Sequence, residues 1–599
     1  MRSGFYLKFI LTLLTAAVIY FGIVGINAVD RLHRVNVKLL EQLEKGTAEV
    51  QTQSKSPQVQ NKQVSKSNIA NSRYFDPAAR FGGRMAQSIN AEPPNLNPVI
   101  CNEATAATLL ALCSAQLAER NWENPDIFEP MAAESWEISP DKKVFRIKLR
   151  QGMKYADITD PVTGKRHENV EITAHDFKFM VDVIKNKDVN SAHLKAYYQD
   201  LDKVEIINDY EFLVYWKKPF YGAVASTLGL TPLARHYYAP DGRFDGNAFN
   251  SDHKRNKLPV SSGAFMLGSW EKAQSITLKR NPNYFGAKYG ISTPLDELRF
   301  DVISHPNTCF QALMSGRIDR LGLTPEQWIK RTNSAQFKAA KLRKEKYLIP
   351  QYTYIGYNQK NPLFADRRVR NALTLLVDRE RICKDIYHDL AEIAVTPFFP
   401  RSRFADPALK PLPYSPEKAK KLLAEAGWRD TDGDGILDKD GKKFRFTMMQ
   451  IATSSIQQRL MPLLKESFAA AGIDMSIQVI EWSNYISRLD ARNYDACCLG
   501  WSSSFDPDMY QVWHSSQIAQ GGSNHISYSN AELDRLIEEM RGEFDTEKRI
   551  ALARKIGAIL HRDQPYTFLM WPYSLVAVSG KFKNLNVYPG GMEITPSYL

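Results

Sequence analysis

The 599-residue chain predicts a mixed α/β protein, and three observations carry that prediction. Apolar residues alternate with period two in short runs: Phe145, Ile147 and Leu149 interleave with Arg146, Lys148 and Arg150, as in a half-buried strand. Helix punctuation falls between such runs, as where Ser415-Pro416 opens a helix over 415–426 that stops at Gly427, giving an N-cap, a first-turn proline and a C-terminal glycine. Finally, a helix over 456–471, a strand over 475–480, a helix over 483–492 and a strand over 494–501 follow one another. That order implies a right-handed parallel crossover, whose ligand crevice lies at the carboxyl ends of the strands.

Taken from the N-terminus, residues 9–29 are uncharged and follow Arg2 and Lys8. A run of this length matches the roughly 20 residues that a bilayer-spanning helix needs. We read a transmembrane anchor in preference to a cleaved signal, since cleavage after Ala28 would put Ile26 where a small side chain is favoured. No cysteine follows closely enough for a lipoprotein anchor, and either reading exports the body. Residues 30–53 carry Leu32, Val35, Leu39 and Leu43 at helical spacing, and 51–72 are polar, so 30–72 read as a helical stalk and disordered tether. Further on, strands over 204–207 and 212–216 meet around the turn pair Asn208-Asp209. Asn530 and Asp545 are the expected caps of the last two helices.

Length alone calls for two or three folding units. Of the net charge of +12, nine Lys/Arg against four acids in residues 1–72 supply +5, and the rest is spread without a basic run. A nucleic-acid partner is therefore excluded in favour of a solvated surface. The six cysteines (101, 113, 309, 383, 497, 498) form no C-x-x-C pair. Cys101 and Cys113 are compatible with a disulfide, and the neighbours Cys497 and Cys498 should face opposite sides of a strand as buried thiols.

The strand over 494–501 ends in Gly500-Trp501 and empties into Ser502-Ser503-Ser504-Phe505-Asp506-Pro507-Asp508. An aromatic platform beside small hydroxyls and exposed backbone is a way to build a ligand wall. No H-E-x-x-H, G-x-S-x-G or Walker sequence is present, so an exported hydrolase is disfavoured and no cofactor is implied. Asp430-Thr431-Asp432-Gly433-Asp434-Gly435 with Asp438 imitates the start of a calcium loop, but Gly441 stands where the closing bidentate glutamate belongs, so no metal site is assigned.

Several blocks recur in one order along the chain. They are Pro130-Met131-Ala132-Ala133-Glu134-Ser135-Trp136 with Asp141; Leu149-Arg150-Gln151-Gly152-Met153-Lys154-Tyr155 with Asp157; and Ile172-Thr173-Ala174-His175-Asp176-Phe177. Then come Ser262-Gly263-Ala264-Phe265, Arg280-Asn281-Pro282-Asn283-Tyr284-Phe285, Ala312-Leu313-Met314-Ser315-Gly316-Arg317-Ile318-Asp319 and Phe364-Ala365-Asp366-Arg367-Arg368-Val369-Arg370-Asn371-Ala372-Leu373. With these the chain, from about Gly82 onward, resembles the extracellular solute-binding proteins of ABC importers, family 5, which include oligopeptide- and dipeptide-binding proteins. The resemblance implies a two-lobed periplasmic-binding-protein-like fold of the large three-domain type, with a discontinuous first lobe. Residues 82–117, 232–346 and 566–599 would form lobe I, 118–231 an inserted small domain, and 347–565 lobe II.

The implied function is capture of a peptide-like or other small polar solute, without catalysis, and delivery to ABC permease subunits. The protein would be a monomer held at the outer face of the inner membrane by residues 9–29. A ligand-sensing ectodomain working through a partner receptor is the alternative. Candidate ligand-binding residues are Trp501, Ser502, Ser504, Asp506, Trp482, Trp571, Asn90 and Glu92. The resemblance places Ser504, a neutral hydroxyl, where peptide-binding relatives carry the acid that pairs with a ligand's amino group. Asp506 either substitutes for that acid or is an ordinary Asp-Pro turn.

Overall fold

Among the described residues, three sheets of four or more strands organise the fold, each lined by apolar clusters. The computed structural model describes residues 78–599 apart from 102, 290, 292, 504, 520 and 521. The expected membrane segment (1–29), the stalk and tether (30–72) and Ser504 lie outside the described residues. Among the described residues, no helix is long and apolar enough to cross a membrane.

The antiparallel four-stranded sheet has the order Ala133–Ile138, Val144–Leu149, Glu211–Trp216, Leu201–Asn208. The period-two run behaves as predicted, with Phe145, Ile147 and Leu149 buried and the intervening Arg146 and Lys148 exposed. Helix Ala174–Lys185, started by the Thr173/Asp176 capping box, shares this core, and Phe177 stacks on Phe212 at 5.7 Å. The hairpin turn sits at Asp209-Tyr210, one residue later than expected, because the Asn208 side chain accepts from the Tyr210 N–H at 2.9 Å.

The eight-stranded sheet gathers distant segments. Its order is Phe265–Glu271, Ser275–Arg280, Glu297–Val302, Arg84–Ile89, Arg320–Gly322, Met570–Ser579, Leu342–Leu348, with Ala391–Ile393 also pairing Met570–Ser579. The five-stranded sheet has the order Asp474–Ile480, Arg445–Ile451, Ala496–Ser502, Gln351–Tyr357, Tyr566–Phe568. Arg445–Ile451 runs parallel to both its neighbours, so Asp474–Ile480 and Ala496–Ser502 point the same way, and the expected parallel connection between them passes through helix Trp482–Asp490. Helix Pro416–Glu425 ends where predicted, with Gly427 at φ +92°. Ser415 occupies its N-cap position without a side-chain hydrogen bond, whereas Asn530 and Asp545 do cap their helices. Cys497 and Cys498 lie in different apolar clusters, one on each face of their strand, and all six cysteines are free thiols.

Two short joints connect the five- and eight-stranded sheets: Ile349-Pro350 between Leu342–Leu348 and Gln351–Tyr357, and Leu569 between Tyr566–Phe568 and Met570–Ser579. Trp571, beside the second joint, is 1% exposed, with its ring 5.2 Å from that of Tyr352 and 5.5 Å from that of Phe399. Trp482 heads helix Trp482–Asp490 and is 48% exposed. Trp571→Ala should therefore cost about 3–5 kcal/mol in urea denaturation. Trp482→Ala should stay within about 0.5 kcal/mol of the parent.

Candidate solute-binding site

A cavity of about 550 Å³ lies between residues of the four-stranded unit and residues attached to the five-stranded sheet. Arg120, Phe128, Tyr197, Phe220 and Tyr221 line it from one side, and Tyr352, Trp501, Ser502, Asp506, Asp508 and Trp513 from the other. The volume falls in the range of about 300–1,000 Å³ typical of small-molecule sites, and the lining is dominated by aromatic and aliphatic side chains.

Strand Ala496–Ser502 aims Trp501 at this space. The first three residues of the strand are buried, and Gly500 then lies so close to the neighbouring strand that a Cβ would come within 3.0 Å of the Tyr352 carbonyl oxygen. Trp501 is fixed on two sides. Its indole N–H donates to the Tyr566 hydroxyl at 3.2 Å, and its ring lies nearly parallel to His525, with centroids 6.0 Å apart and planes 9° apart. Burial, reinforced by the adjacent Arg492, holds the His525 pKa down to about 4, so a neutral imidazole backs the indole. Tyr566 stacks in turn on Tyr354 at 3.8 Å.

The loop after the strand carries the charges. Asp506 accepts from Arg120 at 2.5 Å, lies 3.7 Å from Arg549, and receives the Tyr221 hydroxyl at 3.5 Å. The Arg549 guanidinium lies 3.4 Å from the Tyr221 ring centroid. Burial raises the Tyr221 pKa, with the Asp506 charge acting in the same sense. Tyr197, raised first by burial and then by Asp508, donates its hydroxyl to the Gln511 side chain across the cavity. Asp508 accepts from Arg541 Nε at 3.1 Å.

Of the residues singled out from sequence, Trp501, Ser502 and Asp506 meet at the cavity. Trp571 does not reach it, because its strand buries it behind Tyr352. Trp482 stacks on Tyr485 away from the lining. Asn90 is exposed, and Glu92 accepts from the Trp270 indole at 3.0 Å and the Ala273 N–H at 3.1 Å, tying its loop to the hairpin of Phe265–Glu271 and Ser275–Arg280. The sequence had not singled out Arg120, Tyr221, Arg541 or Arg549. The adjacent aromatics Phe220-Tyr221 and the arginine in the last turn of helix Ala531–Gly542 were the available signals.

The acidic loop holds a cation of its own. Carboxylate oxygens of Asp430, Asp432 and Asp434 lie within 4.8 Å of one another. The Lys443 ammonium contacts Asp432 at 2.5 Å, Asp434 at 2.9 Å and Asp438 at 3.7 Å. The hydrogen bond to Asp432 is the largest cause of the raised Lys443 pKa.

A hydrogen-bonded aromatic cavity between separately cored sheets is an arrangement suited to holding a solute. A family model for bacterial extracellular solute-binding proteins, family 5 Middle, matches residues 128–523. The chain belongs to that family, and is the substrate-binding component of an ABC importer. It is 32% identical over 453 residues to the oligopeptide-binding protein AppA of Bacillus subtilis, covering 74% of this chain and 78% of that protein. It is also 26% identical over 482 residues to heme-binding protein A of Haemophilus influenzae, covering 78% and 83% respectively. The solved structure of Bacillus subtilis AppA in complex with a nonapeptide superposes with a TM-score of 0.77 at 28% identity, over 87% of this chain and 99% of that one. The expected family and the expected α/β binding-protein fold are thus confirmed.

The His525 environment makes a pH prediction. The unfolded imidazole titrates near 6.5 and the folded one at about 4, so the unfolded chain takes up this proton first on acidification. Its contribution is complete above about pH 6.5 and is lost as pH falls toward 4. Lowering pH from 7.5 to 5 should reduce Tm, and His525→Phe, which keeps an aromatic face against Trp501, should flatten part of that slope.

Proposed function

We propose that the protein captures a small peptide-like solute in the 550 Å³ cavity by closing two lobes around it, and delivers it chemically unchanged to a permease. The observation that carries this reading is the cavity itself, whose two walls belong to separately packed clusters. Closure of two bodies on a guest buries most of its surface and gives a transporter a conformational signal. The peptide class is supported by the similarity to an oligopeptide-binding relative over most of both chains.

In this reading residues 82–117 and 232–346 with the C-terminal segment form lobe I, 118–231 the inserted domain, and the chain from 347 lobe II. The strand pairings support a return crossing at Leu569 rather than 566. The protein acts as a monomer, held at the outer face of the membrane by the uncharged run at 9–29.

Thermal denaturation with added peptides, sugars, opines and metal chelates tests this assignment. A true ligand at 100 times its Kd should add about 2.7 kcal/mol of stability. Small peptides should give that shift, and X-ray scattering should show compaction in their presence. Stabilisation only by a non-peptide class would overturn the peptide assignment, and turnover of the bound compound would overturn the transport reading. Trp501→Ala should weaken the best ligand by about tenfold or more, since truncating a buried aromatic anchor typically costs about 2 kcal/mol.

A further inference from the structure

Five charged side chains line the cavity, and two guanidinium positions among them lack a hydrogen bond: the Arg549 Nε, which is sealed from solvent, and the terminal edge of Arg541, which is open to it. Both lining carboxylates are taken: Asp506 by Arg120 at 2.5 Å and Arg549 at 3.7 Å, and Asp508 by Arg541 Nε at 3.1 Å and the Tyr510 N–H at 3.0 Å. A ligand ammonium would meet carboxylates whose charge is already compensated, in a lining of three arginines against two aspartates, so the net charge of the cavity works against it.

Arg541 is placed differently from the other two arginines. It projects from the last turn of helix Ala531–Gly542, whose end is pinned where the Tyr221 N–H donates to the Arg541 carbonyl at 2.8 Å. Its guanidinium carbon lies 4.2 Å from the ring centroids of both Phe220 and Tyr510, so the group is held between two aromatic faces. Asp508 fixes the Nε edge. The terminal nitrogens Nη1 and Nη2 make no hydrogen bond among the described residues, and neither is sealed from solvent, the side chain being 13% exposed. A planar two-donor fork locked in one orientation, in a mostly apolar cavity, matches a carboxylate bidentately and loses little rotamer freedom on binding it.

We propose that Nη1 and Nη2 of Arg541 form a carboxylate-binding subsite, so that this cavity selects solutes with an apolar body and a carboxylate and does not require a free amino group. The proposal rests on the reading of the cavity as the solute site. The apolar body lies against Val224, Val512, Ile537 and Met540.

Calorimetric titration of the wild-type protein with trileucine in free, N-acetylated and C-amidated forms tests it, alongside 4-phenylbutyrate and its amide as a non-peptide pair. N-acetylation should leave affinity within about threefold. C-amidation should weaken it by about tenfold or more, the worth of a charge-assisted hydrogen bond. Arg541→Met, which keeps an unbranched side chain between the two rings, should abolish the preference for acid over amide. The wild-type comparison stands whether or not that variant folds. Binding of 4-phenylbutyrate but not its amide, with no trileucine form bound, would support the subsite while overturning the peptide assignment. Absence of any acid-over-amide preference in both series, or loss of binding on N-acetylation, would overturn the subsite itself.

Discussion

One carboxylate, Asp506, organises the candidate site. It collects Arg120 from strand Ala118–Arg120, the hydroxyl of Tyr221, and Arg549 from helix Thr546–Asp563. A partly buried carboxylate is tolerable when donors surround it, and buried arginines need the same anion in return. The requirement is mutual, so three chain segments meet at a fixed point, and the cavity has the shape their meeting leaves. Arg120 is itself constrained, since Nη1 donates to the Pro125 carbonyl at 2.5 Å and its guanidinium lies over the Phe128 ring at 4.4 Å.

Around this charged node the walls are aromatic and already interlocked. Trp501 is bonded to Tyr566, Tyr566 is stacked on Tyr354, and Trp513 lies 4.7 Å from Tyr566. Side chains fixed by their neighbours lose little freedom when a ligand arrives, so more of the contact energy becomes affinity. The site thus combines a rigid wall with an electrostatic clasp that joins different parts of the chain.

The secondary structure was largely legible because its signals are local. Ser415-Pro416 to Gly427, the Asn530 and Asp545 caps and the alternation at 145–149 each act within a few residues, and the ordered blocks carried the family. Half of the cavity was not legible. The Arg120–Asp506 contact joins residues 386 apart, and neither residue lies in a periodic pattern that announces the other. Trp571 looked available beside a crossing of the chain, but its strand turns it into the core. Glu92 is engaged by Trp270, 178 residues away. The calcium look-alike was legible as an incomplete loop, yet the lysine that fills it was not, because Lys443 lies beyond the motif's own span.

The joints between the five- and eight-stranded sheets have a mechanical consequence. Ile349-Pro350 and Leu569 are the whole of two connections, at most about 7 Å and 4 Å of extended chain. Tethers so short forbid sliding of one sheet past the other, and the proline removes a further degree of freedom. Any relative movement of the two sheets must therefore be absorbed at these joints and at Ala391–Ile393, which the chain between Gln351–Tyr357 and Arg445–Ile451 lays against Met570–Ser579.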